Sequence, residues 1–219
     1  DAVDSDSLIL AMLAIGIGTS TMIFSVINRV YFKPLPFADA KTLMHVTASD
    51  IETTRGKLTP VQFLHLRANT KTLKHISGFQ AIGYNVTGIE KPVSVQGTQL
   101  SGNLFELLRI QPALGRLHLG APDTKTAIIS QGFWRRVFDQ DTNVIDQSIT
   151  LNGQPHIIVG VLPEPFNIPV EAGYADIWTP RKFSEWDRTK EGPMLSVIAR
   201  LANDTTSRKA QAEVAVLSA

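Results

Sequence analysis

SITLNGQPHIIVGV (Ser148–Val161) reads as two strands joined by a tight turn, and it is the clearest such signal in the 219 residues. The strands are expected over Ser148–Leu151 and His156–Val161. Between them Asn152-Gly153 supplies the two positive φ angles that a type I′ turn needs. Leu162-Pro163-Glu164-Pro165 then ends the second strand, because proline cannot donate to a ladder.

Short strands flank this hairpin on both sides. Upstream, TAIIS (Thr126–Ser130) reads as a strand. QGFWRRVF (Gln131–Phe138) follows as a helix turning Phe133, Trp134, Val137 and Phe138 inward. Further back, Ile76–Ala81, Tyr84–Thr87 and Val93–Leu100 read as short strands in a glycine-punctuated stretch. Asn103–Leu108 reads as a short helix ended before Pro112, and Leu114-Gly115-Arg116 as a turn. Downstream, Ile177-Trp178 reads as a further strand.

The outer parts of the chain carry a different pattern, in which strand, loop and helix occur once early and once late. Early, TLMHVT (Thr42–Thr47) is a strand, and Thr59-Pro60 opens a helix with Thr as N-cap and Pro in the first turn. Val61, Leu64, Leu66, Leu73 and Ile76 extend helical spacing to about His75. Late, LSVIARL (Leu195–Leu201) is a strand with alternating faces. Asn203–Thr206 is a loop, and SRKAQAEVAVL from Ser207 is an alanine-rich helix. Two such units side by side make a split α/β layer, with the β-rich stretch inserted between them. The expected fold class is α+β.

LILAMLAIGIGTSTMIFSVI (Leu8–Ile27) carries no charge over about 20 residues, the length of a helix crossing about 30 Å of hydrocarbon. Three readings compete. A cleaved signal peptide wants a basic start and a small-x-small site, but the start is DAVDSDS and the exit NRVYFKP. A buried soluble helix wants one apolar stripe, but apolar residues surround this one. A transmembrane helix fits best, and Gly16, Gly18 and Ser20 would let neighbouring helices pack closely against it. Arg29 and Lys33 follow the segment, which by charge counting would place its C-terminal side in the cytoplasm; a large following domain translocates largely regardless of such charges. Lys33-Pro-Leu-Pro-Phe37 is an extended exit.

Composition narrows the function. The net charge of +1 lacks the basic excess of a nucleic-acid binder. The absence of cysteine removes disulfides, thiolate metal sites and cysteine nucleophiles together. His65 and His75, on the expected helix, fall roughly 80° apart around it and make a poor metal pair. His118 near Asp123 is a weak acid–base candidate, and Ser130 lacks a G-x-S-x-G elbow. Gly16-Ile17-Gly18 lacks the third glycine of a dinucleotide loop. Arg135-Arg136 reads as a solvated face. No catalytic residue, metal or cofactor is expected, and the protein is read as not an enzyme.

Matched blocks now carry a resemblance. LAIGIGTSTMIFSVINRVYFKPLPF (Leu13–Phe37), LTPVQFLHLR (Leu58–Arg67), QGTQLSGNLFELLRIQPALGR (Gln96–Arg116), ISQGFWRRVF (Ile129–Phe138), ITLNGQPHIIVGVLPEPF (Ile149–Phe166) and ADIWTP (Ala175–Pro180) stand in one order. In that order they resemble the MacB-like periplasmic core domain of FtsX-like ABC transporter permeases, and most of all the acidobacterial type without a fused ATPase. The acidic opening departs from the family, which carries basic residues there.

The resemblance implies residues 1–30 as a transmembrane helix region and 31–219 as a periplasmic domain of a bacterial inner-membrane protein. Within the domain, 31–80 and 190–219 form the split α/β subdomain and 81–189 the inserted β-rich one. It implies that ATP-driven movement is passed across the membrane to a periplasmic substrate or partner, in export, efflux or lipoprotein and peptide handling. The implied partners are a separate cytoplasmic ATPase subunit, a second permease copy or homologous half, a periplasmic adaptor or substrate, and the membrane itself. A membrane-tethered ligand-binding or sensing module without an ATPase would present the same sequence features.

Overall fold

A computed structural model describes residues 39–47, 56–164, 166, 174–185, 187 and 193–217. The chain divides into two units, Asp1–Pro36 and Phe37–Ala219, and all described residues belong to the second. The apolar segment Leu8–Ile27, with Gly16, Gly18 and Ser20, and the exit Lys33–Phe37 lie outside the described residues. No described helix is long and apolar enough to cross a membrane.

The elements run β1 (Leu43–Val46), α1 (Pro60–Asn69), β2 (Leu73–Thr87), β3 (Val93–Ser101), α2 (Leu104–Leu107) and β4 (Leu114–Gly115). They continue with β5 (Thr126–Ser130), α3 (Gln131–Phe138), β6 (Ser148–Leu151), β7 (Gln154–Leu162), β8 (Ile177–Pro180), β9 (Ser196–Leu201) and α4 (Ser207–Leu217). The strands join one mixed sheet in the order β1-β9-β2-β3-β8-β5-β7-β4, while β6 pairs with both β2 and β7. This is the expected α+β class.

The β6–β7 hairpin forms as read. Asn152 (φ 48) and Gly153 (φ 79) make the turn. The Asn152 side chain also accepts from the Asn85 amide (2.8 Å) and donates to the Gly83 carbonyl (3.1 Å), which ties the turn to β2. The α1 cap also forms as read: Thr59 accepts from the Gln62 amide, and the Gln62 side chain accepts from the Thr59 amide.

Three sequence expectations need correction. First, α1 ends at Asn69, not near His75. Leu73 and Ile76 belong to β2, where a bulge between Lys74 and Ser77 adds one residue opposite β9. The extra residue shifts the side-chain parity, so both turn into the same core and imitate helical spacing. Second, the two strands expected over 76–87 are one strand, because Gly83 pairs with Gln96 without a break. Third, Leu114-Gly115 is a short strand against Val161 and Gly160, not a bare turn. Gly160 permits this crossing: a Cβ there would lie 2.0 Å from the Arg116 carbonyl oxygen.

Among the described residues three apolar cores fill the unit. One gathers Val46, Leu58, Phe63, Leu66, Leu73, Leu195, Val197, Ala210 and Val214, from both outer parts of the sequence. A second centres on Phe79, Phe105, Leu108, Trp178 and Ile198. A third holds Tyr84, Val86, Ile129, Phe133, Ile149, Ile158 and Val161. Strand β9 alternates as read, yet both its faces are covered, with Val197 and Ala199 in the first core and Ile198 in the second. Strand β2 contributes to all three, through Leu73 and Ile76, then Phe79, then Tyr84 and Val86.

Candidate functional site

The residues singled out for possible chemistry do not assemble. His75 sits in the β2 bulge at φ 49, not on α1 with His65. The His65 ring meets the Asn69 amide of its own helix. No hydrogen bond joins His118 to Asp123 among the described residues. His156 is held below the usual histidine range, first by burial and then by Lys125, against a hydrogen bond with the Gln154 carbonyl. Among the described residues no group of three metal-binding side chains converges.

Ser130 has a local task. Its hydroxyl accepts from the Phe133 amide (2.9 Å), which caps α3, and donates to the buried Asp176 carboxylate (2.9 Å). Asp176 in turn pairs with Arg136 at 2.8 Å. Arg135 lies 3.3 Å from Glu164. The two arginines are therefore half-exposed and paired, not simply solvated. Phe133 is fully buried, and Trp134 and Phe138 pack against the third core from its edge.

These pairs flank a pocket of about 360 Å³. It opens where the parallel strands β5 and β7 end, at Ser130 and Leu162. Its apolar wall is Leu162, Pro163, Phe166, Tyr174 and Trp178, and Gln131 and Glu164 line its polar side. The rings of Phe166 and Trp178 meet edge-on with centroids 5.9 Å apart, and Phe105 backs Trp178 at 6.2 Å. Tyr174 is 52% exposed, and its hydroxyl lies 3.3 Å from Ser130 Oγ. Trp178 is 2% exposed, and its indole N–H has no acceptor among the described residues. A buried donor left unpaired costs about 1–3 kcal/mol.

Two polar clamps sit near the first residues of β2. On α4, Glu213 accepts from the Thr70 hydroxyl (2.7 Å), the Lys71 amide (2.9 Å), the Thr72 amide (3.0 Å) and the Thr72 hydroxyl. Burial opposes its ionisation, but these four donors outweigh it and lower its pKa to about 2. These contacts fasten α4 to the connection that follows α1, whose C-cap Thr70 is extended (φ −68, ψ 141). On β9, the buried Arg200 donates to the Leu107 carbonyl (2.6 Å), the Asp39 carbonyl (3.0 Å) and the Thr42 hydroxyl. Arg109 completes this second clamp by pairing with the Asp39 carboxylate.

Sequence reasoning missed Glu213, Arg200, Asp176 and the pocket aromatics, because every partner is remote in sequence. The available signals were a lone Glu among the alanines and valines of α4, and an Arg inside an otherwise apolar strand.

Comparison with known proteins agrees with this fold. A profile described as the MacB-like periplasmic core domain matches residues 7–217. The structure resembles the periplasmic region of MacB from Actinobacillus actinomycetemcomitans at TM-score 0.63 and 10% identity, covering 86% of this chain and 87% of that one. It resembles a domain of a putative permease protein from Porphyromonas gingivalis at TM-score 0.63 and 14% identity, covering 84% and 87%. It also resembles the extracellular domain of the noncanonic ABC-type transporter YknZ from Gram-positive bacteria at TM-score 0.54 and 14% identity, covering 80% and 90%. At these identities the likeness is one of fold. No curated protein matches the sequence.

Proposed function

Since the chain belongs to the MacB-like periplasmic core domain family of ABC-type transporter permeases, we propose that it carries ATP-driven movement across the bacterial inner membrane to a periplasmic substrate or partner. The family match over residues 7–217 is the observation that carries this reading. Leu8–Ile27 is the membrane-spanning helix in this proposal, with Gly16, Gly18 and Ser20 on its packing surface. The ATP is bound by a separate cytoplasmic subunit, and two permease copies or homologous halves move together.

The core arrangement supports the reading. Strand β1 and helix α4, from the two outer parts of the sequence, share one core. Movement at either would be felt there first. The same core supports treating 31–80 and 190–219 as one subdomain and 81–189 as its insertion.

The test uses the intact gene product. It should fractionate with the inner membrane, leave it only with detergent, and co-purify with an ATPase subunit. Recovery in the aqueous fraction after cell breakage, or a detergent-purified complex with no ATPase, overturns the proposal. A second reading, a membrane-tethered ligand-binding or sensing module, is favoured by the aromatic pocket; it predicts membrane fractionation without any ATPase partner.

A further inference from the structure

We propose that Asn152-Gly153, at the tip of the β6–β7 hairpin, is a site of spontaneous deamidation that the hairpin's seat on β2 holds off, so that the covalent change marks chains whose hairpin has come away. Asparagine is a thermolabile residue, and the reaction needs only its own neighbour and water. The Gly153 amide nitrogen bonds to Asn152 Cγ while the Cγ–Nδ2 bond breaks, and the amide proton departs with Nδ2 as ammonia. Water then opens the succinimide to aspartate or isoaspartate, with nothing oxidised or reduced. Asn152-Gly153 is the only Asn-Gly pair in the sequence, and every other asparagine precedes a residue whose side chain hinders the attacking nitrogen. Both residues are exposed, and no atom lies within 4 Å of the position that a Cβ on Gly153 would take.

The fold opposes the first step. Asn152 is tied to β2 by its backbone amide on the Asn85 carbonyl (3.0 Å), by Oδ1 accepting from the Asn85 amide (2.8 Å) and by Nδ2 donating to the Gly83 carbonyl (3.1 Å). To meet the Gly153 nitrogen the carboxamide must turn back over its own main chain, and both side-chain bonds then break. The reaction therefore waits for a local opening of the hairpin from β2. The pairing to be opened is short, with Val86 opposite Leu151 and Thr87 opposite Thr150. The product opposes reseating, because a carboxylate oxygen replaces the Nδ2 donor and meets the Gly83 carbonyl, acceptor against acceptor. A transient opening thus becomes a lasting one. The inference does not rest on coupling to an ATPase.

The full chain tests it, incubated at mildly alkaline pH both native and in denaturing urea, with the peptide carrying Asn152 followed by mass spectrometry. Native conversion should run about tenfold or more slower than conversion in urea, because two side-chain hydrogen bonds must first be given up. Val86→Ala removes packing at the fully buried position opposite Leu151. It should raise the native rate about fivefold and leave the urea rate unchanged. Converted chains, separated by ion exchange, should exchange the backbone amides of Ser148–Leu151 about tenfold faster than unconverted ones. Asn152→Asp should show the same faster exchange from the outset. The proposal is overturned by equal native and urea rates, or by no conversion at Asn152 in urea. An unchanged native rate in Val86→Ala, or equal exchange in converted and unconverted chains, overturns it as well.

Discussion

Glu213 lies on a helix of alanines and valines, yet its carboxylate gathers four donors from the α1–β2 connection. Its folded pKa of about 2 lies below the ordinary value of 4.5. The ionised clamp therefore adds stability that is full above about pH 4.5 and is lost as the pH falls toward 2. Glu213→Gln should cost about 1–3 kcal/mol at neutral pH. Urea denaturation should show its deficit shrinking across that acidic window; a constant deficit would remove the clamp from the account. Gly160 makes a steric rather than an electrostatic demand. Gly160→Ala drives a methyl into the Arg116 carbonyl and should cost about 3 kcal/mol, read as a lowered denaturation midpoint.

Among the elements, α1 and the β6–β7 hairpin depend on identifiable caps and turns. Thr59→Ala should destabilise by about 1 kcal/mol, and Thr59→Ser by much less, in the same denaturation assay. Asn152→Ala loses both the left-handed turn preference and two hydrogen bonds to β2, at a cost of about 2 kcal/mol. These were the elements most legible in the sequence, because Thr-Pro and Asn-Gly act within a few residues. The helices expected at Asn103–Leu108 and Gln131–Phe138 also form, and the structure shows Asn103 and Ser130 capping them. The end of α1 was not legible, since the connection after it is held by Glu213 from 141 to 143 residues away. The pocket was equally hidden, for its walls come from β5, β7, β8 and the segments beside them.

At the scale of the molecule, the three cores are joined through shared strands. Phe63 is fully buried in the first core, and Phe63→Leu should cost about 1–2 kcal/mol. Native-state hydrogen exchange should show lost protection along all of β2, as far as Tyr84 and Val86 in the third core. Loss confined to Leu73–Phe79 would mean that the cores open independently.

A strand of 15 residues is long for any sheet, and β2 is clasped by β9 near one end, β3 along its middle and β6 at the other. At about 3.3 Å per residue its contour runs to about 50 Å. If it moved as a rigid spar, a tilt of about 5° at the Glu213 end would sweep the far tip through about 4 Å. A small rotation at its root would thus become a stroke wide enough to open or shut a contact on whatever meets that tip.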